Sequence, residues 1–156
     1  MPASLSEQAV QNLEILKEEE IAAPIDIVWE TILEQMGPHG QTPDGLSLPM
    51  VLEAWPGGRW FRDLGNNAGH LWGYVQSIKP PDLLEIQGPL FMSAPVVSHV
   101  LYRLTFEDGV TRLKFSHRAV GQIAPELLDG VRINQGWGGY LSRIRTAALS
   151  KTKEKN

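Results

Sequence analysis

The sequence contains no cysteine. This absence excludes disulfide bonds, thiolate metal sites and a thiol nucleophile, and it agrees with a reducing cytoplasmic location. The chain also has no run that approaches the roughly 20 apolar residues of a membrane helix. Its first residues do not combine a basic stretch with an apolar one. We therefore expect a soluble cytoplasmic protein without a membrane partner.

Positive charge and catalytic signatures are scarce as well. The formal net charge is −4 at pH 7, and no basic stripe of the kind that binds nucleic acid lies outside the short tail from Lys151 to Lys155. Motifs for a serine nucleophile, a zinc-binding helix or a phosphate loop are missing. The four histidines do not fall at ligand spacing. We therefore expect no nucleic acid partner and assign no catalytic residue, metal or cofactor.

A chain of 156 residues is long enough to bury a core as one domain. We divide it into an N-terminal arm (1–12), a single domain (13–150) and a basic tail (151–156) that we expect to be frayed. Within the domain, alternation predicts a first strand from Leu13 to Ala22. Helical spacing predicts a helix that begins at Pro24 and ends at Gly37. The loop from Gly37 to Pro49 that follows is interpreted either as a plain surface loop or as a lid.

Six further segments have strand character and are separated by short turn signals, which favours antiparallel hairpins. They are Val51–Trp55, Arg59–Leu64, His70–Lys79, Leu83–Gln87, Val96–Glu107 and Thr111–Val120. A long helix is predicted from Ala124 to Leu149, with Pro125 in its first turn. It alone is long enough to cover one face of the sheet. The predicted class is α+β, with a curved seven-stranded antiparallel sheet wrapped around a long C-terminal helix.

The long helix carries one stripe at spacings of three and four residues. The stripe consists of Leu127, Gly130, Asn134, Trp137, Leu141, Ile144 and Ala148. Glycines at positions 130, 136, 138 and 139 thin its N-terminal half, although each costs a helix about 1 kcal/mol relative to alanine. Two interpretations follow. Either the helix packs closely on a strongly curved sheet, or its thin half covers a cavity.

Alternation in the last two strands directs two polar side chains, Tyr102 and His117, into an apolar space. Each needs a hydrogen-bond partner there. His117 is read either as a satisfied core histidine or as a ligand contact, and Glu19 either as solvent-exposed or as an inward carboxylate. We expect Asn134 to project from the helix toward Tyr102 and His117, forming a polar cluster in an apolar chamber. The inner face of the strand 70–79 is left undecided.

Aromatic residues supply the expected walls of this chamber, because their broad apolar surfaces suit a binding site. Phe106 is expected to point inward with Tyr102. The predicted ligand-binding residues are Trp60, Trp72, Phe91, Met92, Tyr102, Phe115, His117, Asn134 and Trp137.

Several short motifs, taken in order, resemble the SRPBCC superfamily, which is also described as START-like or birch-pollen-allergen-like. Within that superfamily they are most similar to bacterial homologues of the activator of the heat-shock chaperone ATPase. The resemblance covers roughly residues 13–149. The motifs are Glu20-Ile21-Ala22-Ala23-Pro24 with Val28-Trp29, Trp55-Pro56-Gly57-Gly58-Arg59-Trp60, Gly73 with Ile78-Lys79-Pro80-Pro81-Asp82-Leu83-Leu84, Thr111-Arg112-Leu113, and Gln135-Gly136-Trp137 with Leu141 and Ile144.

The resemblance implies a helix-grip fold that encloses a mostly hydrophobic cavity, but it does not fix an activity. Our first hypothesis is non-catalytic binding of a small hydrophobic or aromatic molecule between the sheet and the helix. One alternative is a cyclase- or hydrolase-type enzyme that uses the same cavity, with His117 or Glu19 as general base. Another is a co-chaperone-like interaction module with a heat-shock chaperone as partner. A homodimer is also left open.

Overall fold

The computed structural model describes residues 9–128 and 131–155. Its elements are β1 (Gln11–Ile21), α1 (Ile25–Met36), β2 (Val51–Leu52), β3 (Arg59–Gly65), β4 (Ala68–Lys79), β5 (Leu83–Gly88), β6 (Val96–Glu107), β7 (Val110–Gly121), α2 (Pro125–Leu128) and α3 (Val131–Lys155). The predicted order of strand, helix, six strands and C-terminal helix is confirmed. Residues 1–8, which include most of the predicted arm, lie outside the described residues, and the arm's last two residues belong to β1.

All seven strands form one antiparallel sheet in the order β1-β7-β6-β5-β4-β3-β2. Consecutive hairpins connect β2 to β7. The first strand, β1, pairs along its whole length with β7, from Gln11 opposite Gly121 to Ile21 opposite Thr111. The long helix α3 packs on the inner face and also contacts α1. The α+β class and the curved sheet wrapped around a long C-terminal helix are therefore confirmed.

Alternation in β6 and β7 places the expected side chains inside. Tyr102, Leu104, Leu113 and His117 are all almost fully buried. Phe106 is a correction, because 49% of it is exposed. It stands next to the last residue of β6, where the chain turns toward β7, and side chains at such turns are commonly exposed, so alternation alone no longer implies burial.

The C-terminal helix extends to Lys155, beyond the predicted end at Leu149, so the basic tail is helical through Lys155 rather than frayed. The tertiary contact responsible is the Lys151 ammonium group, which pairs with the carboxylates of Glu34 and Glu30 on α1. This pairing fixes the end of α3 against α1. The predicted stripe residue Gly130 lies outside the described residues.

Across residues 9–128 and 131–155, no helix has both the length and the apolar character needed to cross a membrane. In the same ranges, no group of three or more histidine, aspartate or glutamate side chains is arranged to hold a metal ion.

Candidate functional site

A pocket of about 400 Å³ opens beside the N-terminal half of α3. Three walls enclose it: the inner face of β3 and β4, the loop that follows α1, and α3 itself. Most of the lining is apolar. The lining residues are Gln35, Gly40, Gln41, Thr42, Pro43, Leu48, Met50, Trp60, Trp72, Phe91, Leu127, Arg132, Ile133, Gly136, Trp137, Tyr140 and Arg143.

The sheet wall is built by a β-bulge in β4. Trp60 of β3 lies opposite Gly73, but the next pair joins Phe61 to Leu71, so Trp72 is left without a partner on β3. A bulge of this kind interrupts the strict alternation of side chains. Gly73 is buried on the inner face, and Trp72 nevertheless lines the same pocket. This explains why alternation could not decide the inner face of this strand.

Trp60 holds the sheet wall and α1 together. Its indole N–H donates a 2.7 Å hydrogen bond to the carbonyl oxygen of Met36, the last residue of α1. Carbonyls at the end of a helix have no partner within the helix, so this contact satisfies one of them. The Trp72 ring meets Trp60 edge to face, with 5.1 Å between ring centroids. The two indoles thus form a rigid aromatic corner.

Phe91 reaches the pocket from the link between β5 and β6. The preceding residue, Leu90, is fully buried and has a φ of 56°, a left-handed conformation that is uncommon for leucine. Its backbone N–H donates to the Trp72 carbonyl at 2.8 Å. This hydrogen bond and the burial of Leu90 fix the link, and the Phe91 ring lies 6.0 Å from Trp72 and 6.2 Å from His117.

The loop after α1 forms the second wall and is closed by its own backbone. The backbone N–H of Leu48 donates a hydrogen bond to the carbonyl oxygen of Gly40, and that of Met50 donates one to the carbonyl oxygen of Gly37. A side chain at Gly40 would bring its Cβ to 2.3 Å from the Leu48 carbonyl oxygen, so only glycine allows this closure. Leu48 and Met50 then face the pocket. The loop is therefore part of the pocket wall in this structure.

The third wall is the N-terminal half of α3, where the glycines lie. A Cβ at Gly136 would be 3.8 Å from the Pro43 ring, one at Gly138 would be 3.6 Å from Lys17 Nζ, and one at Gly139 would be 3.9 Å from Arg143. All three are ordinary van der Waals distances. Close packing therefore does not require glycine at these positions. Gly136 lines the pocket directly, which agrees with the interpretation that the thin half of the helix covers a cavity.

Two buried polar atoms at the pocket lack a hydrogen-bond partner: Gln35 Oε1 and Arg143 Nε. The Arg143 guanidinium lies 5.9 Å from the centre of the Tyr140 ring, and no described carboxylate lies within ion-pair distance of it. Buried polar groups without partners are rare in proteins. Both atoms belong to residues that line the pocket.

Behind Trp137 the interior is closed and its polar groups are satisfied. The Trp137 indole N–H donates to Nδ1 of His117 at 3.0 Å, and Nε2 of His117 lies 2.9 Å from the Ser98 hydroxyl. Because an indole can only donate, Nδ1 must be the acceptor, and in the neutral ring Nε2 carries the proton. Burial lowers the pKa of His117 from 6.5 to about 4. His117 is therefore neutral and satisfied at both nitrogens.

A second satisfied pair lies beside His117. The hydroxyls of Tyr102 and Tyr140 are 2.9 Å apart, and both side chains are buried. Burial raises the pKa of both hydroxyls above the ordinary value of 10. Both tyrosines therefore stay protonated at physiological pH. Tyr102 receives its partner from α3, as expected, but the partner is Tyr140.

Asn134 is the clear correction among the predicted site residues. It is exposed, while its neighbour Ile133 is 5% exposed and lines the pocket. Both residues lie about one helical turn before Trp137, so spacing alone admits either of them. The apolar side chain is buried at lower free-energy cost than the amide. The predicted cluster of Asn134, Tyr102 and His117 therefore does not form.

The other predicted residues are brought together, but not all of them face the pocket. Trp60, Trp72, Phe91 and Trp137 line it. Tyr102, Phe115 and His117 lie behind Trp137 and connect to it through aromatic contacts, with 4.7 Å between the Phe115 and Trp137 rings. Met92 is buried in the core. Glu19, the other candidate base, is half-buried on β1 and is not part of the pocket lining.

The polar residues Gln35, Arg132 and Arg143 line the pocket but were not predicted as site residues. Arg143 lies in the middle of α3, because the helix runs to Lys155 rather than ending at Leu149. Arg132, Gly136, Tyr140 and Arg143 follow one another at spacings of four, four and three residues. This second stripe, beside the apolar one, was the available signal.

Comparison with known proteins gives a likeness of fold. No family model matches the chain, and no curated protein matches it either. Among solved structures, an uncharacterised protein of Rhizobium leguminosarum is 19% identical, with a TM-score of 0.67 over 91% of this chain and 97% of that one. CalU16 of Micromonospora echinospora is 20% identical, with a TM-score of 0.60 over 95% of this chain and 93% of its own.

A third similar structure, from Nitrosomonas europaea, is 16% identical, with a TM-score of 0.63, and the match covers 97% of this chain and 99% of that one. At these identities the likeness shows the fold alone. Nearly the whole chain takes part in it.

Proposed function

We propose that this protein binds a small hydrophobic or aromatic molecule, without catalysing a reaction, in the pocket between the sheet, the loop 37–50 and helix α3. The observation that carries the proposal is the pocket itself. Its volume of about 400 Å³ falls within the usual range of roughly 300–1,000 Å³ for ligand sites. Its lining combines broad aromatic surfaces with few polar groups, which is typical of such sites.

The state of His117 favours binding over catalysis. A general base needs a free lone pair that can reach the substrate and a pKa near the working pH. In His117 the lone pair on Nδ1 accepts from Trp137, and the pKa lies at about 4. His117 is not part of the pocket lining; its ring contacts two residues that are, Trp137 and Phe91. A cyclase- or hydrolase-type reaction would therefore need a different base.

Membership of the SRPBCC superfamily belongs to the same proposal. It is supported by the ordered motifs and by the helix-grip arrangement of sheet and C-terminal helix. The likeness to homologues of the heat-shock ATPase activator rests on the motifs alone. Pull-down with the heat-shock chaperone from the same organism, followed by an ATPase assay, tests that alternative.

A neutral fluorescent probe, N-phenyl-1-naphthylamine, tests the binding proposal. We expect saturable binding to the native protein, with a blue shift of the probe's emission. Gly136→Leu places a side chain in the pocket and should weaken binding at least tenfold, which corresponds to about 1.4 kcal/mol. Gly139→Leu is the matched control, because position 139 is exposed on the same helix and outside the lining.

The two leucine variants separate pocket binding from adhesion to the surface. Leucine is a better helix former than glycine by somewhat less than 1 kcal/mol, so neither change should unfold the helix. Equal probe affinity in Gly136→Leu, Gly139→Leu and the native protein would overturn the proposal. So would the absence of saturable binding to the native protein.

A further inference from the structure

We propose that the ligand of this pocket is an amphiphile with an anionic head group, such as a carboxylate, and that Arg143 and Gln35 bind this head. The inference rests on the proposed function and specifies its ligand class. It starts from the two unsatisfied polar atoms at the pocket, Arg143 Nε and Gln35 Oε1. They come from different helices, α3 and α1, yet both residues line the same pocket.

Arg143 is the residue best suited to bind an anionic head group, because a guanidinium group is always charged and has five N–H donors. Some other cations of the chain are paired: Lys151 pairs with Glu34 and Arg118 pairs with Glu14. Arg143 has no carboxylate partner among the described residues. Its guanidinium carbon lies 5.9 Å from the centre of the Tyr140 ring, and both residues line an apolar pocket, so a counter-ion is the missing element.

Binding of a ligand in the pocket increases the need of Arg143 for a counter-ion. Arg143 is only partly buried, so in the empty pocket water can solvate the part of its side chain that lines the pocket, whereas Nε itself is shielded. An apolar ligand displaces that water and leaves the cation without a counter-ion or solvent, which is unfavourable in a low-dielectric site. A ligand that brings an anionic acceptor replaces the lost hydrogen bond with a charge-assisted one. The pocket therefore discriminates in favour of anionic amphiphiles over neutral ones of the same shape.

Gln35 suits the same head group. Its amide can rotate by half a turn, which exchanges the positions of the oxygen and the nitrogen, so the buried position can present either an acceptor or a donor. An anion held by Arg143 would select the orientation that donates an N–H. Arg132, also on the lining, adds a second positive charge to the pocket.

Two probes with the same hydrocarbon frame test the inference. The anionic probe is 8-anilinonaphthalene-1-sulfonate, and the neutral one is N-phenyl-1-naphthylamine, which lacks the sulfonate. We expect Arg143→Met, which keeps an unbranched apolar stem, to raise the Kd of the anionic probe about tenfold or more, because a charged hydrogen bond is lost. The Kd of the neutral probe should stay within about twofold. Arg143→Lys keeps the charge but not the planar donor group, so its Kd for the anionic probe should lie between those of the native protein and Arg143→Met.

Arg145→Met is the matched control, because it removes the same charge from an exposed position two residues away and outside the lining. It should leave both affinities unchanged. Equal weakening of the anionic probe by Arg143→Met and Arg145→Met would show only a general charge effect and overturn the inference. Equal weakening of both probes by Arg143→Met would also overturn it, while leaving the proposed function intact. If neither probe binds the native protein, the proposed function and the inference both fail.

Discussion

The two sides of Trp137 differ in whether their buried polar groups have hydrogen-bond partners. Behind the indole, each polar group has a partner: His117 is bonded on both nitrogens, and Tyr102 is bonded to Tyr140. On the pocket side, Arg143 Nε and Gln35 Oε1 have none. A buried group that is satisfied stabilises the fold, whereas an unsatisfied one beside a void indicates what the void can hold.

The largest expected difference between the two sides is in packing. Leu141→Ala, at a fully buried position behind the pocket, should lower the free energy of unfolding by about 2–5 kcal/mol. Leu48→Ala, the same change on the pocket wall, should cost about 1 kcal/mol or less, because Leu48 already borders a void. Chemical denaturation measures both values. Equal losses would contradict the distinction between a sealed and an open side.

The second effect is the pH dependence that arises from His117. Its folded pKa of about 4 lies below the unfolded value of 6.5, so the unfolded state binds more protons between these pH values. Stability should therefore fall as the pH drops from about 6.5 to about 4, by up to about 3 kcal/mol. Urea denaturation across this range measures it. His117→Gln removes the titrating group, and an unchanged pH slope in that variant would refute the assignment.

The third effect tests the tyrosine pair. Tyr140→Phe should lower the free energy of unfolding by about 1–3 kcal/mol, because it leaves the buried Tyr102 hydroxyl without a partner. Combining Tyr140→Phe with Tyr102→Phe should recover part of this loss, since neither hydroxyl is then left unpaired. If the losses of the two single variants simply add in the double variant, the hydroxyls do not depend on each other.

The smallest effect concerns the thin half of the helix. Gly139→Ala should raise stability by up to about 1 kcal/mol, because the position is exposed and a Cβ there meets only Arg143 at 3.9 Å. Thermal unfolding measures it. A loss of stability would restore the close-packing interpretation of these glycines.

The fold followed from the sequence because alternation and turn signals are local. The bounds of β6, Val96–Glu107, agree with the prediction to the residue, and α1 ends just before Gly37 as expected. The end of α3 was missed because it depends on a tertiary contact between Lys151 and Glu34. Local patterns contain no information about such a pairing.

The site was only partly predictable, because part of it depends on tertiary packing that local patterns do not encode. Four aromatic lining residues were identified because large apolar side chains signal burial. The bulge at Trp72 breaks alternation, and the choice between Ile133 and Asn134 depends on helix rotation within a few tens of degrees. The polar residues Gln35 and Arg143 come from separate helices, and only the packing of α1 against α3 shows that they share a pocket.

The most direct test of the central claim is an NMR titration that follows the five tryptophan indole N–H signals while N-phenyl-1-naphthylamine is added. Trp60, Trp72 and Trp137 line the pocket, whereas Trp29 lies in the core and Trp55 is 57% exposed, both outside the lining. We predict that the first three signals shift saturably with a common Kd and that the signals of Trp29 and Trp55 stay in place. A shift of the Trp55 signal alone, or of none of the five, would contradict the account.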